Sequence, residues 1–581
     1  MGIRTSVRKH QRALKSTIST ALSAALALPL WGYAQNASVP RPFIEEQRQQ
    51  ARERLLREQQ ERSVDARLPT GTAPRTARLT PSEAPCSVVA RLALEGELST
   101  DFGWSLDAAN GDRADDSPIG LCLGAQGIET VVSRVQKAIV DRGYITTRVL
   151  AGRQDLSSGT LTLALVPGRI SAIRFAPENA PTTNLRNAIP AKAGDLLQLR
   201  DLEQGLENLK RLPTADADIQ VEPSIAAGAR PGDSDLVVKY SRKLPLRTTL
   251  SLDDSGTDAT GKTQAALTVA WDGPLGLNDL AYVSMNHDAF NHDGQGTAGR
   301  TVHYSIPYGY WLAGVTVSQS RYRQSVAGLV DTYVYAGETR NADVRLSRLI
   351  YRDQHRKTTV TIRGFRTASR YVIDDSENEN QRRIVGGVEA SLNHREFVGN
   401  ATLDGTLAYR RGTGAFGALP ASEESFGEGT SRMKLYTSDV TLNIPFMLLG
   451  QKLRYTALWR AQWNRTPMTP QDRFAIGGRY TVRGFDGETS LAGDRGWLLR
   501  NDVGVALGQS GAELYAGIDY GEVGGPSSKF PLGRHLAGGV IGLRGAVTGL
   551  NYDLFIGAPI GMPEGYRTAK VTGGISLSYA F

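Results

Sequence analysis

Apolar and polar positions follow two different rhythms along this chain. From about residue 246 onward, apolar residues alternate with polar ones in segments of roughly ten, the signature of strands that face two different media. The clearest cores are residues 249–253, 265–271, 281–285, 314–318 and 439–444. At residues 571–581, Val571, Ile575, Leu577, Tyr579 and Phe581 share one face, with Thr, Ser and small residues opposite. Clusters of Gly, Asp, Asn and Pro separate the segments, as at residues 286–294. About 336 residues in this half, at ~20 per strand and loop, predict an antiparallel β-barrel of about 16 strands, lipid outside and water inside. A soluble all-β domain is the other reading; the aromatic Phe581 and the long polar loops count against it.

The first half has helical spacing. Residues 42–63 are dense in Glu, Gln and Arg and lack Gly, which predicts a helix. Glu53 with Arg57, Arg54 with Glu58 and Glu58 with Arg62 stand four apart and can pair on its surface. Only Ile44, Ala51 and Leu55 form an apolar line, so this helix belongs in solvent or in a wet cavity, not in an ordinary core. Residues 64–85, rich in Pro, Thr, Ala and Arg, read as a linker. Then come a strand at 88–95, a helix at 127–143 with Ile128, Val131, Val135 and Ile139 on one face, and strands at 146–150 and 159–166. The order recurs: strand 169–175, helices 184–189 and 199–212 (Leu202, Leu206 and Leu209 on one face), and strands 217–222 and 234–240. Two small α+β units in series, residues 86–168 and 169–242, are the predicted arrangement. Each offers a sheet edge beside a helix, suited to capturing an extended chain by strand addition.

Composition adds an address. A basic segment (Arg4, Arg8, Lys9, Arg12, Lys15), an apolar run at 21–31 and Gly32, Tyr33 and Ala34 read as a secretory signal over residues 1–34. Export makes Cys86 and Cys122 a disulfide pair rather than two buried thiols. The formal charge of +8 is dispersed, with no basic stripe interleaved with aromatics, which argues against nucleic acid.

Candidate chemistry is sparse. Residues 256–263 satisfy the phosphate-loop pattern, but the residues that follow alternate as a strand where a helix N-terminus is required, so we read a hairpin loop and no nucleotide. The Asn-His-Asp repeats at 286–288 and 291–293 lie in one turn-rich loop, with His303 on the next strand, and no metal site is assigned. No nucleophile–base pair or carboxylate dyad occurs; neither an enzyme nor a cofactor is expected.

One stretch remains. Arg479 and Arg483 sit among glycines and aromatics at residues 472–485, and Gly517, Asp519 and Gly521 follow on a strand. There Leu514, Ala516, Ile518 and Tyr520 alternate with Glu513, Tyr515, Gly517 and Asp519, so Asp519 should face the lumen. A loop folded into the barrel would bring Arg483 to Asp519 in a forked, charge-assisted bond, with Gly484 and Gly517 leaving room.

Residues 471–485, containing Val482, Arg483, Gly484 and Phe485, resemble the signature loop of the two-partner secretion translocators, the haemolysin and filamentous-haemagglutinin secretion/activation family. Residues 517–521 resemble its partner strand motif. Residues 124–128 and 155–160 resemble the first polypeptide-transport-associated (POTRA) domain, and residues 169–242 the second. The resemblance implies α+β POTRA domains in the periplasm (86–168 and 169–242) followed by a transmembrane barrel (243–581). It further implies a plug helix within residues 35–63 and an Arg483–Asp519 salt bridge. The implied partner is one large exoprotein bearing an N-terminal secretion domain, conducted unfolded to the surface of a Gram-negative cell through a monomeric pore among outer-membrane lipids. The alternative is an insertase of the same barrel superfamily, whose client stays in the bilayer.

Overall fold

The structure, a computed structural model, describes residues 42–61, 64–68, 78–79, 83–111, 113, 115–177, 183–290, 295–327, 331–529 and 532–581. The expected signal, Arg62, much of the linker and the second Asn-His-Asp repeat lie outside the described residues. Described residues 42–325 and 334–581 belong to one unit. The described part of a second unit is residues 326–327 and 331–333, at ends of the strands Trp311–Ala327 and Thr332–Arg352.

The first α+β unit is a sheet of three strands in the order Arg91–Glu95, Thr160–Val166, Arg148–Leu150. With α1 defined as Pro42–Gln60, helix α2 (Ala125–Asp141) covers this sheet. Val131, Val135 and Ile139, one turn apart, are buried with Leu161, Leu163 and Leu165. Gly143, at φ +98°, turns the chain out of the helix. The expected single strand at 88–95 is instead two pieces: Ser87–Val88 pairs with Cys122–Leu123, and Arg91–Glu95 pairs parallel with Thr160–Val166. The break has a cause in hydrogen bonding, because the Gly159 carbonyl accepts from both Ala90 (2.7 Å) and Arg91 (3.1 Å). A 3-10 helix, Gly103–Ala109, fills the interval before α2. Cys86 and Cys122 are joined in a disulfide across 36 residues.

The second unit repeats the plan with the strand order Ile170–Phe175, Ser234–Arg242, Ala215–Pro223 and helices α3 (Leu185–Ala188) and α4 (Leu199–Lys210). Its core is continuous with the barrel mouth, since Ala270, Leu280 and Tyr282 bury against Leu202, Leu206 and Leu209. Asn187 donates to the Pro307 carbonyl (3.0 Å), and Asn208 to that of Gly309 (2.7 Å).

Sixteen antiparallel strands, from Leu246–Asp253 to Thr572–Ala580, close into a barrel, with Ser376–Glu377 as a two-residue extension at one rim. Its residue distribution is inverted relative to a soluble protein. Leu267, Val269, Trp271, Val283 and Met285 are exposed outward, while Thr268, Ser284, Thr301 and Ser318 are buried inward. That alternation is what a wall between lipid and water requires. Among the described residues no helix is long and apolar enough to cross a membrane.

Helix α1 lies inside the barrel. Nineteen residues at ~1.5 Å each span ~28 Å, close to the thickness of a bilayer core. Near one end, Arg48 donates to the Gly487 carbonyl (2.5 Å); at the other, Gln60 accepts from Arg247 (2.9 Å). Between them Glu46 accepts from Thr339 (2.9 Å) and from the Tyr371 hydroxyl, and Arg54 reaches Asp439 (3.1 Å). Every one of these partners is polar, as the composition of the helix demands.

Candidate functional site

Residues 465–494 connect the strands Gln451–Asn464 and Arg495–Ala506 and fold back into the lumen. Val482 and Phe485 anchor the turn: both are buried with Phe474, Ile476 and Leu491 of the same loop and Leu498, Val523, Leu536 and Tyr566 around it. The Phe485 ring meets Tyr566 edge-on, with centroids 5.7 Å apart.

These anchors aim Arg483 at the wall. Its Nε and Nη2 donate to the two Asp519 carboxylate oxygens, both at 2.8 Å, and its backbone N–H donates to the same group at 2.9 Å. Nη2 also reaches Asp502 at 2.5 Å. Asp519 sits on the strand Ala512–Gly524, and its neighbours Ile518 and Tyr520 point outward. Asp502 lies on the adjacent strand opposite Gly517. Arg483 is 3% exposed and Asp519 0%, so the guanidinium has exchanged water for a forked bond. Burial disfavours its charge, but the bonds to Asp519 and Asp502 outweigh that and raise its pKa.

Glycines make the approach possible. A Cβ on Gly538 would lie 1.8 Å from the Arg483 carbonyl oxygen, and one on Gly517 would lie 2.8 Å from Nη2. Gly484, at φ +94°, packs over residue 558, where a Cβ would meet the Ala558 carbonyl oxygen at 2.5 Å. Gly521 leaves room for Val482, whose Cγ2 would be 2.9 Å from a Cβ there.

Arg479 goes elsewhere. It pairs with Asp254 and donates to the Ile575 carbonyl (2.9 Å), across the junction of the first and last strands. Residues 256–263 form the hairpin loop between Leu246–Asp253 and Gln264–Asp272; there Thr260 donates to Glu45 of α1 (3.1 Å). His303 faces Thr316 (3.0 Å) and Glu61 (3.2 Å), while His287 lies beside Asp288.

Sequence reasoning missed Asp502, Gly538 and Ala558. Alternation along the strand Arg495–Ala506 could have marked Asp502 as lumenal; the other two depend on register with the loop.

Residues 232–545 match the haemolysin secretion/activation protein ShlB/FhaC/HecB family. The chain belongs to this family. Residues 106–168 and 169–223 match POTRA domains, the first of the ShlB type. The chain is 37% identical over 552 residues to outer membrane transporter CdiB-2 of Burkholderia pseudomallei (strain 1026b), covering 92% of this chain and 94% of that protein. It is 26% identical over 416 residues to hemolysin transporter protein ShlB of Serratia marcescens, covering 69% and 71%. The structure of CdiB from Acinetobacter baumannii superposes with a TM-score of 0.81 at 29% identity, covering 95% of this chain and all of that one (100%). This ShlB/FhaC/HecB member is a two-partner secretion transporter of the outer membrane, with its POTRA domains in the periplasm.

Proposed function

We propose that the POTRA domains receive the N-terminal secretion domain of one large exoprotein, an adhesin, haemolysin or contact-dependent toxin, and that the chain crosses the lumen unfolded. The observation that carries this reading is the polar lumen itself. It opens beside the second POTRA domain and is filled by α1, a helix held by polar contacts that water or a passing chain can replace. Release of α1 frees the path, and folding of the exoprotein outside drives transport without nucleotide. In this proposal Arg483, Asp519 and Asp502 latch the long loop to the wall so that the path stays open. Coexpression with a candidate large exoprotein bearing an N-terminal secretion domain tests this. Full-length exoprotein should reach the medium, and deletion of residues 86–168 should stop it while the barrel still assembles. An exoprotein that instead accumulates integrated in the outer membrane would support the insertase alternative.

A further inference from the structure

We propose that α4 of the second POTRA domain and the turn beside Arg352 form a binding ledge for extended polypeptide, occupied at rest by residues 64–68 of the chain itself. This rests on the transport reading above. The ledge reads backbone. The Ala66 N–H donates to Glu207 and the Leu68 N–H to Glu203, both at 2.9 Å, while Arg352 Nη2 donates to the Ala66 carbonyl (2.5 Å). Arg352 also ties the two carboxylates together, at 2.9 Å to Glu203 and 3.0 Å to Glu207.

The spacing explains why α4 suits this task. Glu203 and Glu207 are four residues apart on a helix, so their positions differ by ~6 Å along its axis. Alternate N–H groups of an extended chain recur every ~6.6–6.8 Å on one side. A helix with carboxylates at i and i+4 therefore presents acceptors in near register with the donors of any extended segment, whatever its side chains.

Side-chain selection is superimposed on that backbone reading. Ala66 and Leu68 pack against the core of the second POTRA domain. Asp65 turns the other way, to Lys357 (2.7 Å) and Arg395 (3.0 Å), and the Arg67 guanidinium lies 4.1 Å from the Phe397 ring centre. The ligand class that follows is an extended peptide of alternating polar and apolar residues, with an acidic side chain just before a small apolar one and a larger apolar residue two further on.

Occupancy is coupled to the plug. Only two residues lie between Glu61 and Val64, a reach of at most ~11 Å over three steps, whereas clearing the lumen moves α1 by a large part of its ~28 Å. Residues 64–68 must then leave the ledge, exposing it at the mouth where the exoprotein enters.

The test uses the full chain carrying Ala66→Pro and Leu68→Pro, which removes both donors of the resident segment. The probe is a fluorescein-labelled peptide of residues 62–70, with and without N-methyl groups on the amides equivalent to Ala66 and Leu68. The unmethylated peptide should bind this variant at least about tenfold more tightly than the wild-type chain, and methylation should weaken it at least about tenfold, since each lost bond is to a charged acceptor. Equal binding of the methylated peptide, or no binding to a folded variant, overturns the ledge. Asp65→Lys, which keeps both amides and reverses one side-chain anchor, is the second host should the prolines impair folding. The readout is peptide binding, so its failure leaves export of the exoprotein standing, and failed export alongside amide-sensitive binding overturns the transport reading alone.

Discussion

The loop bearing Arg483 and helix α1 both lie in the lumen, yet they are held in opposite ways. Arg483 has two buried carboxylates converging on it, glycines shaped around it and aromatics locking its neighbours. Helix α1 is held by separate polar contacts along its length, and among its buried side-chain atoms Arg52 Nε, Arg57 Nε and Gln60 Nε2 have no protein partner. Leaving one carboxylate buried and unpaired costs about 3–5 kcal/mol, whereas an exposed ion pair contributes about 0–1 kcal/mol. The difference lies in how many contacts must break together: those on Arg483 converge, and those on α1 are spread along the helix. Separate contacts can be exchanged one at a time, whereas bonds converging on one buried guanidinium must be lost together.

The largest effect should come from Arg483→Ala. The exoprotein in the medium should fall by more than about tenfold, corresponding to more than ~1.4 kcal/mol, while heat-modifiable mobility on gels shows the barrel still assembled. Arg483→Lys should rescue poorly, because an ammonium cannot make the fork to Asp519. Normal export by Arg483→Ala would put the latch on the same footing as the plug.

Deleting residues 42–63 comes next. Single-channel conductance in planar bilayers should rise to a steady open level, and a conductance equal to the intact chain's would remove α1 from the role of plug. Gly538→Ala should then destabilise the loop by about 1–3 kcal/mol, read as a lower Tm, because the new methyl falls on the Arg483 carbonyl.

A pH effect is smaller. Burial pushes Glu488, at the loop tip, up to about 7 from an ordinary value of 4.5; its carboxylate accepts from the Asp258 N–H (2.9 Å) and faces Asp258, Arg48 and Asp486. The folded state thus holds the proton more tightly than a solvated Glu488 does. Its contribution to stability is full below about 4.5 and is lost as pH rises through about 7. Hydrogen-exchange protection of the 256–263 hairpin, corrected for intrinsic rates, should decline over that window and become flat in Glu488→Gln. The smallest effect is expected of Arg54→Ala. Its pair with Asp439 is half exposed, so brief openings of the channel should become only slightly more frequent, by the equivalent of about 0.2–1 kcal/mol.

Much of this was legible because strand and helix periods are local. Thr268, Ser284 and Thr301 had to face away from Leu267, Val283 and Val302 once each segment was a strand. The amphipathic faces of α2 and α4 were equally plain. What escaped were contacts set by register or competition. Asp502 joins the site only because it stands opposite Gly517, and residues 88–95 split because one carbonyl captured two amides. The Glu203–Glu207 ledge needed both a helix and a segment more than a hundred residues away in sequence.

The sequence by itself determined that a polar helix could not enter a core, that the second half would wall lipid from water, and that Arg483 needed a carboxylate. Only the tertiary structure decided that the helix lies in the lumen rather than in solvent, and that two carboxylates rather than one receive the arginine. It also decided that Arg479 goes to the seam between the first and last strands. Periodicity tells which face a residue presents; closure of the barrel decides what stands opposite that face.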